Sequence, residues 1–224
     1  MNLFRNMFLS AMLLGLFAII GTGIVALTFD NTAERIAKNE REFLLKNLHI
    51  LVTPDVHDND LFTDLIKVTD KEYLGSYKPI NIYRARKAGK NVAAIINAVA
   101  PDGYNGDIEL LIAIDDSGKI MGVRATKHKE TPGLGDAIET NRSDWIFGFT
   151  GKTLNDPKSA KWRVKRDGGA FDQFTGATIT PRAIVKAVHK ALQYYKQHKE
   201  MIFSQKTVSL IPSVVENKGQ VTHE

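Results

Sequence analysis

Three hydroxyls crowd one short stretch of the chain, Thr175, Thr178 and Thr180, immediately ahead of Pro181 and a long amphipathic segment. Such a position suits a phosphate, because the first N–H groups of a helix lack intrahelical partners and its dipole favours negative charge. Thr180 is a natural N-cap, and Pro181 fits the first helical position, where its missing N–H costs nothing. Gly176 and Ala177 add little side-chain bulk, so a phosphate could approach the backbone of Thr178 closely. The plain alternative is that the three threonines only shape a turn into the helix. A second cluster lies upstream, His128, Glu130 and then Thr131-Pro132-Gly133-Leu134-Gly135. Pro132 and Gly133 suit a tight turn that exposes backbone N–H groups, and Gly135 permits another close approach. Such a loop could lie against a flat, partly apolar ring and offer donors to its carbonyls. His128 and Glu130 alone are a poor metal-ligand set, so no metal site is expected.

The elements that must position these clusters can be read along the chain. Residues 6–29 carry no charge and include the dense apolar run Ala11–Ile20. About 20 apolar residues are enough for a helix to cross a bilayer. A cleaved signal peptide competes, but apolar residues continue through Leu27 without a polar cleavage region, which favours an uncleaved anchor. Asn31-Thr32 reads as a cap and Ala33–Leu51 as a helix that Thr53-Pro54-Asp55 ends. Asp55–Gly75 is mixed, a short helix with loops. Strands are expected over Ile80–Arg86, Val92–Val99, Ile108–Ile114 and Ile120–Lys127, with turns at 87–90 and 115–119 and a loop over 101–106. A last helix runs from Pro181 to Met201, with Ile184, Val185, Val188, Ala191, Leu192 and Tyr195 on one face. Three or four antiparallel strands followed by helices describe an α+β domain.

Composition narrows the chemistry. The 224 residues contain no cysteine, which removes disulfides, thiol catalysis and cysteine-held zinc or iron–sulfur clusters. Redox chemistry would need an acquired cofactor. The net charge of +5 is spread among acidic residues without a basic block or aromatic–basic interleaving, so nucleic-acid binding is not expected.

The run Asp172-Gln173-Phe174-Thr175-Gly176-Ala177-Thr178 resembles the acceptor sequence Asp-x-x-(Ser/Thr)-Gly-Ala-(Thr/Ser), at which bacterial flavin transferases attach FMN. Together with the anchor, the glycine-bearing loop around Tyr104 and the Glu130–Gly135 loop, it is similar to one FMN-binding domain family. That family includes the G subunit of the Rnf electron-transport complex and the C subunit of the sodium-pumping NADH:quinone reductase. Size and the Phe171–Phe174 lead-in resemble the Rnf protein more closely.

The resemblance implies one transmembrane helix followed by one FMN-binding domain with an antiparallel sheet and flanking helices. The expected division is an anchor over 1–30, a helical connector over 31–75, the FMN-binding domain over 76–203 and a tail over 204–224. FMN would be joined through its phosphate to Thr178, with Thr175, Gly176 and Ala177 beside it. Asp172 would serve recognition by the transferase. Glu130, Thr131, Pro132, Gly133, Leu134 and Gly135 would line the ring, and Lys165 and Tyr104 are looser candidates. No residue is expected to be catalytic. The implied role is electron relay in an ion-translocating oxidoreductase, without turnover by the isolated chain. Implied partners are the other subunits, the transferase and membrane lipid.

Two alternatives are a component like the C subunit of the quinone reductase and an anchored, non-redox binding or sensor module. A third is a flavin-dependent reductase acting on a small extracytoplasmic acceptor, although such enzymes are usually longer. Counting Arg5 against Arg35, Lys38, Arg41 and Lys46 would place the bulk of the chain in the cytoplasm. The resemblance implies the opposite and outweighs that short count: a bacterial inner-membrane protein with its domain on the periplasmic side.

Overall fold

A computed structural model describes residues 2–207; the expected tail lies outside the described residues beyond that point. Two compact units divide near residue 46. In the first, helix α1 runs unbroken over Asn2–Leu51 and continues into the second. Large apolar side chains stand exposed along it, Phe8, Leu14 and Ile19 among them at 70–73%. Among the described residues this is the one helix long and apolar enough to span a bilayer.

The expected break at Asn31-Thr32 is absent. Instead of capping a new helix, Asn31 Nδ2 donates to the Leu27 carbonyl at 2.8 Å, and Thr32 Oγ1 donates to the Thr28 carbonyl at 2.7 Å. Short polar side chains can cap or bond back within a helix, and here the apolar segment before them is already helical.

The second unit is built on a five-stranded antiparallel sheet in meander order: β1 (Leu65–Asp70), β2 (Ser76–Lys87), β3 (Lys90–Gly103), β4 (Gly106–Asp115) and β5 (Ile120–Lys127). The fold is α+β. β1 and the short helix α2 (Lys71–Leu74) occupy the stretch expected to be loops and a short helix. Leu65 and Ile66 are both buried, so β1 lacks the alternation that marks a half-buried strand. Asp70 ends it and caps α2 by accepting the Tyr73 N–H at 2.8 Å.

The 101–106 segment is also not a loop. β3 runs to Gly103, β4 starts at Gly106, and only Tyr104-Asn105 turns between them. Asn followed by Gly supports so tight a hairpin.

Helix α3 (Ile179–Ser204) lies mainly across β3. Its buried Ile184, Val188, Ala191 and Leu192 share one core with Ile96, Ile108, Leu110 and Ile112 of the sheet. Aromatic residues extend that core: Phe149 stacks on Phe171 at 4.7 Å, and Trp162 stacks on His189 at 5.2 Å. Between β5 and α3 the chain makes only short 3₁₀ turns, at Gly135–Ile138, Trp145–Phe149, Ser159–Lys161 and Lys165–Asp167.

The far end of α3 is latched by Arg84, 1% exposed, which donates to the carbonyls of Ile202 (3.1 Å) and Gln205 (2.6 Å). Asp64 balances its charge, with Nε–Oδ1 at 2.7 Å.

A cleft between the Glu130–Gly135 loop and the start of helix α3

Glu130 organises the upstream loop. It follows β5 and is only 5% exposed. The N–H of Asn105, in the β3–β4 turn, donates to its Oε1 at 3.1 Å, and the hydroxyl of Thr180, on α3, donates to its Oε2. One buried carboxylate therefore ties a hairpin, a loop and a helix together, and each group satisfies another that burial would otherwise penalise.

Two glycines make room for it. A Cβ on Gly103 would sit 3.0 Å from Oε1, and one on Gly135 would sit 2.7 Å from Oε2. From Glu130 the chain turns through Thr131, whose carbonyl accepts N–H groups from Leu134 (3.1 Å) and Gly135 (3.0 Å). Asp136 fixes the turn by accepting the Gly133 N–H at 2.8 Å. His128 accepts the Glu130 N–H on Nδ1 at 3.2 Å and pairs through Nε2 with Glu139 at 2.9 Å, outside the cleft lining.

The downstream run is a second pinned loop. Trp145 Nε1 donates to the Asp172 carbonyl at 2.8 Å and packs edge-on to Phe174 at 5.0 Å. The N–H of Ala177 returns to the Phe174 carbonyl at 3.2 Å, closing a tight turn. Gly176 holds φ +81° there, a conformation side chains rarely adopt.

Helix α3 then begins earlier than the Thr180 cap predicts. Thr178 is already in the right-handed helical region, and its carbonyl accepts the Arg182 N–H at 3.3 Å. Thr180 sits inside the first turn, 1% exposed, with its hydroxyl spent on Glu130 instead of on capping. The Thr178 hydroxyl makes no capping bond; it is half-buried and accepts from Arg166 Nη1 at 3.3 Å.

Between the loops lies a cleft of about 310 Å³. Glu130, Thr131, Leu134 and Gly135 form one side, and Gly176 to Thr180 the other, with Tyr104 at the rim. The sequence-predicted residues Gly176, Ala177 and Thr178 thus share one cavity with the Glu130 loop. Pro132, Gly133 and Thr175 are outside its lining, and Asp172 pairs with Lys165 at 2.6 Å on the surface. Arg166, Asn105 and Trp145 do not line the cleft but bond to its walls or to the run leading into them, and spacing could not supply them because their ties span 12, 25 and 27 residues.

Residues 103–193, which contain both loops, match the FMN-binding domain family, and residues 1–51 match the RnfG N-terminal region. Proteins named as the G subunit of an ion-translocating oxidoreductase complex align along almost the whole chain. The one from Pseudoalteromonas atlantica is 49% identical over 195 residues, covering 87% of this chain and 91% of its own length. Those from Pseudomonas aeruginosa (48%) and Shewanella piezotolerans (44%) each cover 89% of this chain and 94% of their own. The chain belongs to this G-subunit family. A crystal structure of NqrC from Shewanella oneidensis is a distant likeness, with a TM-score of 0.44 at 23% identity over 64% of this chain and 75% of its own.

For a member of the G-subunit family the cleft passes a simple fit test for FMN. Its volume is at the small end of the roughly 300–1,000 Å³ usual for ligand pockets, enough for a ring system. Apolar surface comes from Tyr104, Leu134, Ala177 and Ile179. The guanidinium of Arg166 beside the Thr178 hydroxyl suits a phosphate.

Proposed function

We propose that this chain is the electron-relay subunit of a membrane-bound, ion-translocating oxidoreductase of the Rnf type, carrying FMN esterified through its phosphate to Thr178. The observation that carries the reading is the Thr178 hydroxyl, uncommitted to capping, at the wall of a cleft whose other wall is the Glu130–Gly135 loop. The family match over residues 103–193 supports the identity of the cofactor.

In this reading residues 1–30 anchor the chain in the bacterial inner membrane, 31–75 lead into the FMN-binding domain and supply its edge strand β1, and 76–203 form the rest of that domain on the periplasmic side. Leu134, Ala177 and Ile179 would pack the ring; Thr131 and Gly135 would offer polar edges, while Thr175, Pro132 and Gly133 shape the loops behind them. Asp172, exposed and close to the acceptor, would be read by the flavin transferase. The ester would form by attack of the Thr178 oxygen on the FMN phosphorus of a flavin dinucleotide held by the transferase, breaking the pyrophosphate P–O bond, with the nucleoside monophosphate leaving and the hydroxyl proton passing to a base of the transferase.

FMN when bound supplies one- and two-electron transfer. The protein fixes the ring's position, excludes water from part of it through the apolar wall, and keeps it attached between turnovers. Electrons would come from and go to other subunits of the complex, and the isolated chain is expected to turn over no substrate.

The test is in-gel fluorescence and intact mass of the full-length protein from cells that contain the transferase. The wild type should carry one FMN per chain, and Thr178→Ala should carry none while melting at the same temperature. A bare wild-type chain from that host would refute the ester.

A further inference from the structure

We infer that Arg166 is the phosphoryl anchor of this cleft: its guanidinium reads the phosphate that distinguishes FMN from riboflavin and holds it beside the Thr178 oxygen. The inference rests on the cleft being a flavin site, and it adds a specificity-determining residue that neither motif contains.

Among the basic side chains near the acceptor in sequence, Lys165 and Arg182 are committed elsewhere. Lys165 Nζ pairs with Asp172 Oδ1 at 2.6 Å. Arg182 is held in a two-pronged pair by Asp167, with Nε–Oδ2 at 2.7 Å and Nη2–Oδ1 at 2.9 Å. That pairing holds the Asp167 carboxyl below the usual carboxylate range, so it stays charged and keeps Arg182 engaged at neutral pH.

Arg166 differs. Its guanidinium donates to a neutral hydroxyl, that of Thr178, at 3.3 Å, while its charge also bears on Asp167, which pairs directly with Arg182. A permanently charged, forked donor placed on an uncharged acceptor is poised to take a second, anionic one, and a phosphate oxygen matches its geometry.

The backbone around it is fixed without the side chain. The Arg166 N–H donates to Gln173 Oε1 at 3.2 Å, and the Lys165 N–H donates to the Phe171 carbonyl at 2.6 Å. Removing the guanidinium therefore leaves the loop's ties to the acceptor run in place. The effect of removal should fall on the phosphate and not on the ring.

The experiment uses the full-length protein in detergent, produced in cells without the flavin transferase and purified flavin-free, so that no ester forms and the Thr178 hydroxyl stays in place. FMN and riboflavin are titrated separately and read by quenching of flavin fluorescence. With Arg166 present, FMN should bind about tenfold more tightly than riboflavin, the weak end of a charge-assisted bond because this side chain is solvent-exposed. Arg166→Ala should erase that preference by weakening FMN alone, and Arg166→Lys, which keeps charge but loses the fork, should fall between. Raising the salt concentration should shrink the preference in the wild type and in Arg166→Lys, and should not change Arg166→Ala.

An unchanged preference in Arg166→Ala overturns the inference, as does a protein with Arg166 intact that binds both flavins alike or neither. A clear Arg166-dependent preference together with a bare wild-type chain, by intact mass, from cells that contain the transferase would remove the ester and leave the anchor standing.

Discussion

Thr180→Val isolates the carboxylate that ties the cleft together. Valine nearly matches threonine in shape, so the substitution removes one O–H donor from a site only 1% exposed and leaves the backbone undisturbed. Glu130 Oε2 then loses the partner it has on α3, while Oε1 keeps the Asn105 N–H at 3.1 Å. Water cannot replace that partner readily at a carboxylate 5% exposed.

A hydrogen bond to a charged group is worth about 1.5–3 kcal/mol, and stranding the acceptor puts the cost in that range. For a domain of this size each kcal/mol shifts the melting temperature by roughly 2–4 °C, so the expected loss is about 3–12 °C. Intrinsic fluorescence of Trp145 and Trp162 in the full-length protein follows the transition. Glu130→Leu in the Thr180→Val background should recover part of the loss, because no carboxylate is then stranded and the Asn105 N–H alone loses its acceptor. A Thr180→Val protein that melts within about 1 °C of wild type, below that range, would refute the claim that this bond holds the cleft's walls together.

Three further outcomes are expected. Asp172→Ala should fold normally, since its exposed pairing with Lys165 is worth at most about 1 kcal/mol, yet carry little flavin by in-gel fluorescence; full loading would show that the carboxylate is not read. Gly135→Ala should destabilise by about 1–3 kcal/mol in chemical denaturation, because the new methyl would meet Glu130 Oε2 at 2.7 Å. Burial against Trp162 pushes the His189 imidazole below its ordinary value near 6.5, so the unfolded chain binds its proton first. Stability should therefore fall as pH drops below about 6.5, and His189→Phe should flatten that slope in melts between pH 7 and 5.

The legibility of this chain in its sequence varies with the range of the contacts. β5, the hairpin at 115–119 and the body of α3 follow from local alternation and helical periodicity, and all three stand where the residues put them. β1 is hidden because its adjacent Leu65 and Ile66 are both buried, which breaks the period of two. The Asn31-Thr32 cap fails for another reason: side chains that can cap can equally bond back, and the helicity of the preceding apolar run decides between them.

Within the cleft, Thr178 and the Glu130–Gly135 loop are legible as motifs, each compact in sequence. What lies between them is not. That Thr180 abandons the cap for Glu130 depends on a contact across 50 residues, and no local spacing encodes it.

That same long-range contact makes the cleft depend on helix α3. The cleft's second wall and the Thr180 donor belong to the opening turn of α3, whose buried face is completed only near Ile202, where Arg84 latches the helix end. A nascent chain halted before residue 179 would already display the acceptor run but could offer no finished pocket beside it. The cleft is therefore a product of the completed C-terminal helix and not of the two motifs alone.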